Sequence, residues 1–156
     1  MESITINKAT QILYKKNIEL FAVNDARKIF NVDKDNTLYK LLQRLEIKNV
    51  IKRLENGKYL FLFKNPIDFE IANFIFSPSY ISLESALSFY GILSQFPYTI
   101  TSIAPKKSKK IILYNKEYEY THINKKYFFG FIKKDSFIIA TPEKALIDLL
   151  YLYAKT

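Results

Sequence analysis

The stretch from Asn36 to Phe63, NTLYKLLQRLEIKNVIKRLENGKYLFLF, narrows the possible folds more than any other part of the chain. Its first half places Leu38, Leu41, Leu42 and Leu45 at the i, i+3, i+4, i+7 spacing that lines one face of a helix. Thr37, Tyr39, Lys40, Gln43 and Arg44 are turned away from that face. Asp35 or Asn36 can cap the start, because a short side-chain oxygen accepts from the unpaired N–H groups of a first turn. Its second half holds two strand-like runs, Val50 to Leu54 and Lys58 to Phe63, joined by Glu55, Asn56 and Gly57. Asn-Gly tolerates the positive φ angles of a type I′ turn, so the runs read as a hairpin with Lys52, Arg53 and Lys58 on or near it.

What precedes this stretch gives it a place in an order. Ile4 to Leu20, with Ala9, Ile12 and Leu13 on one side, reads as a first helix starting near Asn7. Phe21 and Val23 anchor a turn, and Asn24 is positioned to cap a short helix from Asp25 to Phe30 whose Ala26, Ile29 and Phe30 face inward. Asn31 to Lys34 is the next turn. The leucine-backed helix therefore comes third and a two-stranded wing follows, which is the order of a winged helix-turn-helix. In that arrangement the third helix enters the major groove of DNA by its N-terminal residues. Asn36, Thr37, Lys40, Gln43 and Arg44 are the candidate groove or phosphate contacts, and Lys52, Arg53 and Lys58 the candidate contacts of the wing.

Charge agrees with a polyanionic partner. The chain carries a formal +9, and residues 1–65 hold 13 Lys and Arg against 7 Asp and Glu, whereas residues 66–156 hold 11 against 8. Neutralising phosphates releases condensed counterions, so concentrated positive charge favours nucleic acid. Abundant Ile, Lys, Asn, Phe and Tyr also fit a genome rich in A and T, which accounts for part of the lysine excess. With no Cys and one His, His122, the chain lacks the residues for disulfides, thiolate metal sites or an imidazole cluster; no metal and no cofactor is expected. No signal-peptide pattern and no apolar run of membrane-spanning length is present, so a soluble cytoplasmic protein without membrane contact is expected.

Lys64, Asn65 and Pro66 interrupt the pattern and mark the junction between residues 1–65 and a second module, 66–156. Asp68 to Phe76 reads as a short helix stopped by Ser77, Pro78 and Ser79. Ser82 is placed to cap a helix through Tyr90 with Leu83, Ala86, Leu87 and Tyr90 inward, and Gly91 can take the left-handed conformation at its end. Strands are expected at Tyr98–Ile103, Lys110–Tyr114, Tyr118–Ile123, Tyr127–Ile132 and Phe137–Ala140, giving a mainly antiparallel sheet and an α+β protein overall. Thr141, Pro142 and Glu143 form a strong helix start, and Ala145, Leu146, Leu149 and Leu150 are expected to be the buried stripe of that last helix.

The run PSYISLESALSFYGI, Pro78 to Ile92, the Pro-Tyr-Thr-Ile-Thr-Ser strand after it, the FFG segment within Tyr127–Phe131 and ATPEKALIDLLY, Ala140 to Tyr151, together closely resemble the AbiEi-like antitoxins of type IV abortive-infection toxin–antitoxin systems. The resemblance covers nearly the whole chain. It implies an N-terminal domain that binds inverted repeats in its own double-stranded promoter DNA, with a homodimer on that DNA as one arrangement. It further implies a C-terminal antitoxin domain that opposes a nucleotidyltransferase toxin, by direct contact or indirectly. Members of that family often continue beyond the last helix found here, which implies a short or truncated version.

Read from their residues alone, the C-terminal motifs have structural roles. Ser85 and Ser88 are small residues for a helix interface, with no His or Lys placed to activate them as nucleophiles. Lys144 and Asp148 are spaced for an i to i+4 ion pair. Glu84 and Glu143 have no metal-ligand spacing, His122 is a strand residue, and Lys106, Lys107, Lys109 and Lys110 read as a solvated loop, with a second phosphate contact as the alternative. The function classes are therefore an antitoxin and autorepressor, a stand-alone winged-helix regulator whose C-terminal domain dimerises or senses a ligand, and, lowest, an enzyme, for which no base, nucleophile and oxyanion set is visible.

Overall fold

The computed structural model describes residues 3–156, is mixed α+β, and divides into two compact units, Met1–Pro66 and Ile67–Thr156. In the first unit α1 (Ile6–Lys15) begins at Thr5, whose side chain accepts from Lys8 N–H at 3.2 Å, and buries Ala9 and Leu13. The next segment is not the expected turn: Leu20–Ala22 is a strand, β1, antiparallel to β3 (Lys58–Phe61) with Phe21 opposite Tyr59. Phe21 stacks on the Tyr59 ring at 5.6 Å and meets the edge of Phe30 at 6.4 Å, so packing of one aromatic residue fixes a strand too short to show a period. Asn24 does not cap α2 (Val23–Phe30), which starts a residue before it; the Asp25 carboxylate accepts instead from Ala22 N–H at 2.9 Å.

Helix α3 (Asp35–Ile47) also starts otherwise than the sequence suggests. Its cap position is Lys34, without a side-chain bond, and Asp35 and Asn36 are already helical. The Asp35 carboxylate is taken by the Arg27 guanidinium of α2, which also donates to the Asp33 carbonyl at 2.9 Å. A long-range cation has outcompeted the local cap, and the carboxylate keeps a favourable place at the positive end of the helix. Leu38, Leu41, Leu42 and Leu45 are all buried against Leu13, Phe21, Phe30 and Phe61. Strand β2 (Ile51–Arg53) then pairs antiparallel with β3, completing a three-stranded sheet in the order β1-β3-β2. Asn56 and Gly57 both have positive φ, and Lys58 N–H donates to the Glu55 carbonyl at 3.1 Å, the turn that the Asn-Gly pair predicts.

Glycine is scarce, with three in the chain, and asparagine takes its place where the backbone must turn left. Asn17, Asn31 and Asn49 follow α1, α2 and α3, and Asn56 and Asn115 sit in hairpin turns, all with φ between 48 and 66. Asn is among the few residues with a side chain that adopts this region readily.

The second unit is built on a six-stranded sheet in the order β6-β7-β5-β4-β9-β8. Its strands are β4 (Tyr80–Ile81), β5 (Ile100–Ala104), β6 (Lys109–Leu113), β7 (Lys116–His122), β8 (Phe131–Lys134) and β9 (Phe137–Ala140). Pairings β4–β5, β6–β7 and β8–β9 are antiparallel, whereas β5–β7 and β4–β9 are parallel, so the sheet is mixed. The strand that sequence reading missed, β4, lies between β5 and β9; two residues are too few for any periodicity. The expected strand from Tyr127 is shorter, since Lys125–Tyr127 is a single 3-10 turn held by Asn124, and the strand starts only past Gly130, whose φ is 78.

Three further helices complete the unit: α4 (Asp68–Ile75), α5 (Leu83–Phe89) and α6 (Pro142–Ala154). Ser82 precedes α5, but its hydroxyl makes no cap bond and donates to Asp148 on α6 at 2.8 Å; Gly91 turns left after the helix, with φ 75. Thr141 does cap α6, accepting from Lys144 N–H at 3.2 Å, with Pro142 at the first position. Half of the stripe expected to be buried is outside: Leu146 is 47% and Leu150 60% exposed, while Ala145 is buried as expected, Leu149 is half-buried, and Lys144 and Asp148 share the buried face with Ala145. Among the described residues no helix is long and apolar enough to cross a membrane.

Candidate nucleic-acid interface

On α3 the burial of the leucine stripe leaves a polar face outside, flanked by exposed Tyr39 and Ile47. Asn36, Thr37, Lys40, Gln43 and Arg44 are all exposed. Asn36, Lys40 and Gln43 follow one another at i, i+4, i+7, and Thr37, Lys40 and Arg44 at i, i+3, i+7, so the five share a face with Lys40 at its centre. A face of this kind presents two cations, two amides and a hydroxyl, the donor and acceptor set that reads base edges and phosphates. Tyr39, which its spacing also turns away from the leucine stripe, is 53% exposed beside it and was not among the candidate contacts. Lys34, exposed at the cap position, was missed for the same reason that Asp35 was misplaced.

The three cations of the hairpin do not form one surface. Strand register sets Lys52 opposite Leu60, and Lys58, two residues from Leu60, shares that outer face; both lysines are half-buried. Arg53 is exposed and lies opposite Tyr59, on the core side of the sheet at its rim. Burial raises the Tyr59 phenol above its ordinary value while Arg53 opposes the shift, and the charges of Glu46 and Tyr39 are felt at the same phenol. Arg53 thus lies on the Tyr59 side of the hairpin, whereas Lys52 and Lys58 belong to its opposite face. A groove of about 700 Å³ with Ile4, Ile12 and Ile29 in its floor adds Lys8, Lys16 and Lys34 beside Thr37.

In the second unit the polar residues of the two C-terminal motifs make internal contacts. Lys144 Nζ is 2.8 Å from Asp148 Oδ1 and donates to the Tyr127 carbonyl at 3.0 Å, while the other carboxylate oxygen accepts from Tyr80 and Ser82, each at 2.8 Å. The ion pair foreseen from its spacing is present, but it is buried: the side chains are 7% and 1% exposed. Gly130 makes room for it, because a Cβ there would meet Lys144 Cγ at 2.8 Å. The Tyr80 phenol is pushed far up, by burial first and by Asp148 second. Ser85 accepts from Thr101 N–H of β5 at 2.8 Å and Ser88 donates to the Gln95 carbonyl, in the loop after its own helix, at 2.7 Å, so both hydroxyls are engaged. Among the described residues no group of three or more His, Asp or Glu is placed to hold a metal ion. No protein-family model and no curated protein matches the chain.

Proposed function

We propose that the chain is a DNA-binding antitoxin and transcriptional autorepressor of a type IV abortive-infection system. In this reading the N-terminal unit is a winged helix-turn-helix that binds repeats in its own promoter, two copies serving inverted repeats, and the C-terminal unit opposes a nucleotidyltransferase toxin in the cytoplasm. The chain acts by binding, without catalysis or cofactor. The observation that carries the DNA-binding part is the single exposed face of α3, with its five polar side chains backed by four buried leucines and followed at once by the β2–β3 hairpin. The order α1-β1-α2-α3-β2-β3 supports the same reading, because it sets a groove-sized helix beside a strand ribbon that can reach the backbone.

The antitoxin part rests on the motifs that resemble the AbiEi-like family. Tyr80 and Ser82, from one motif, bind Asp148, from the other, and Lys144 from that second motif completes the buried network. Residues so interlocked constrain one another, which is a physical reason for the two stretches to occur together.

The test has two arms. The full chain is titrated against its promoter duplex and a scrambled duplex, alone and as Arg44→Ala and Gln43→Ala. A base-reading side chain should cost about 1–3 kcal/mol on the promoter and much less on scrambled DNA. Equal affinity of the parent chain for both duplexes defeats the repressor reading. In the second arm the chain is expressed from an unrelated promoter with the neighbouring gene product. Growth rescue that survives Lys40→Ala with Arg44→Ala supports a separate antitoxin activity, and absence of rescue by the parent chain favours the stand-alone regulator.

A further inference from the structure

We infer that the first unit holds a site for a fatty-acid-like monocarboxylate, in the groove between α1 and the turn that leads into α3, and that its occupant lowers the affinity for DNA. The inference rests on the DNA-binding reading of α3 and names a regulator of that surface. Ile4, Lys8, Ile12 and Lys16 recur every fourth residue, on one side of α1 and its two flanks. Across from them stand Ile29 and Phe30 at the end of α2, then Val32 and Asp33 in the turn and Lys34 and Thr37 at the start of α3. The space between is about 700 Å³, within the range of small-molecule sites.

Floor and rim differ in kind. Ile4, Ile12 and Ile29 are half-buried, each packed on the core of the unit while also lining the groove. Lys8, Lys16 and Lys34 are exposed around them. Lys16 Nζ donates to the Ile29 carbonyl at 3.3 Å, which ties α1 to the end of α2 and fixes one ammonium there. Lys8 and Lys34 have no carboxylate partner among the described residues. The lining has one acidic residue, Asp33, and its charge acts on the Arg27 guanidinium of α2. The far wall is set before any ligand arrives, since Val32 N–H donates to the Arg27 carbonyl at 3.0 Å and Arg27 Nη1 to the Asp33 carbonyl at 2.9 Å.

An aliphatic floor ringed by ammonium groups is complementary to an alkyl tail with one negative head. From Lys8 to Lys16 the helix rises about 12 Å, room for an extended chain along α1. No arginine lines the groove, so the planar fork that grips phosphate by two parallel bonds is absent, and ammonium point charges suit a carboxylate head. Thr37 belongs both to this lining and to the exposed face of α3, with Lys34 one turn before it. A carboxylate held between them sets a negative charge where a DNA phosphate must approach, so ligand and duplex exclude each other.

The probe is decanoate, below its micelle concentration, titrated into the full chain by calorimetry without DNA. It should occupy one site, and hexanoate should bind about tenfold or more weakly, because each buried methylene is worth about a fourfold gain. 1-Decanol keeps the tail and loses the charge, and should bind less well than decanoate. If it binds equally, or if decyl phosphate displaces decanoate at lower concentration, the carboxylate assignment is wrong. Ile29→Gln and, separately, Lys8→Gln with Lys16→Gln should each weaken decanoate binding; parent affinity in both, with normal circular dichroism, overturns the groove as the site. Promoter affinity is then measured with decanoate at about ten times its own Kd, where mutual exclusion predicts a loss of about 11-fold in the parent chain. Each variant is compared with itself with and without decanoate and should lose less, so direct effects of the substitutions on DNA cancel. Decanoate that binds while promoter affinity stays unchanged overturns the inference and leaves the α3 reading intact. A parent chain that binds no duplex even without decanoate defeats the α3 reading and the coupling with it, while the calorimetry still decides the groove.

Discussion

Two helices of thirteen residues, α3 and α6, use similar sequence patterns in opposite ways. Each has leucines at helical spacing and charged residues between them. In α3 the leucines are inside and Lys40 and Arg44 outside; in α6 Lys144 and Asp148 are inside and Leu146 and Leu150 outside. A helical period therefore identifies two faces without saying which one meets the core. What decides is the neighbour. α3 faces an aromatic and aliphatic core around Phe21, Phe30 and Phe61, whereas the inner face of α6 meets the hydroxyls of Tyr80 and Ser82 and the Tyr127 carbonyl. A carboxylate with three partners, beside a lysine with two, can be buried where either alone could not.

The largest effect expected from breaking this comparison is at Asp148. Asp148→Ala leaves Lys144 buried and uncompensated, and should cost about 3–5 kcal/mol by urea denaturation, while Lys144→Met with Asp148→Leu should recover most of that loss. A double variant no better than the single would mean that the hydroxyls, not the charge, set the cost. Leu42→Ala in α3 should cost about 2–5 kcal/mol, since it opens a cavity among residues that solvent does not reach.

Gly130→Ala sharpens the contrast from outside the helix. It adds a methyl against Lys144 at a residue with φ 78, and about 1–3 kcal/mol of destabilisation is expected in the same assay. Alkaline pH should weaken the second unit through its tyrosines. Burial holds the Tyr80 and Tyr118 phenols above their ordinary value, with Asp148 and Asp68 adding to it. Their contribution is complete below about pH 10, where the unfolded phenol titrates, and falls as pH rises beyond it because only the unfolded chain then ionises readily. The urea midpoint should be flat up to that point and drop above it; a midpoint that holds at higher pH would contradict the burial of both rings. The smallest effect belongs to α6's outer face, where Leu146→Asp and Leu150→Ala should each stay within about 0.5 kcal/mol. A loss of several kcal/mol at either would show that this face is covered in solution.

Elements governed by neighbours in sequence were legible: the α3 stripe, the Asn-Gly turn, the Thr141–Pro142 helix start and the Lys144–Asp148 pairing. Asn24 lost its capping role to its neighbour Asp25, but several other errors trace to partners outside the local turn. Asp35 and Ser82 were given local capping roles, but Arg27 engages the first and Asp148 the second. β1 and β4 were invisible because three and two residues display no alternation, and only their cross-strand partners define them. The exposure of the α3 candidates could be read because it is the complement of a strong apolar stripe. Those on the hairpin could not be sorted, because which side Arg53 shares with Lys52 and Lys58 depends on register.

The shortness of β4 also bears on the order in which the second unit assembles. Hairpins β6–β7 and β8–β9 are formed from residues close in sequence, the first turning at Tyr114 and Asn115 and the second at Asp135. What joins the β6-β7-β5 half of the sheet to the β9-β8 half is Tyr80 and Ile81, with Ile81 opposite Ser102 on one side and Ile139 on the other. Closing that seam spans nearly sixty residues, about 58 from Ile81 to Ile139, and its entropy must be offset before the contact gains anything. The sheet is thus expected to zip from both edges and to meet last in the middle, making its centre the step that limits the folding rate.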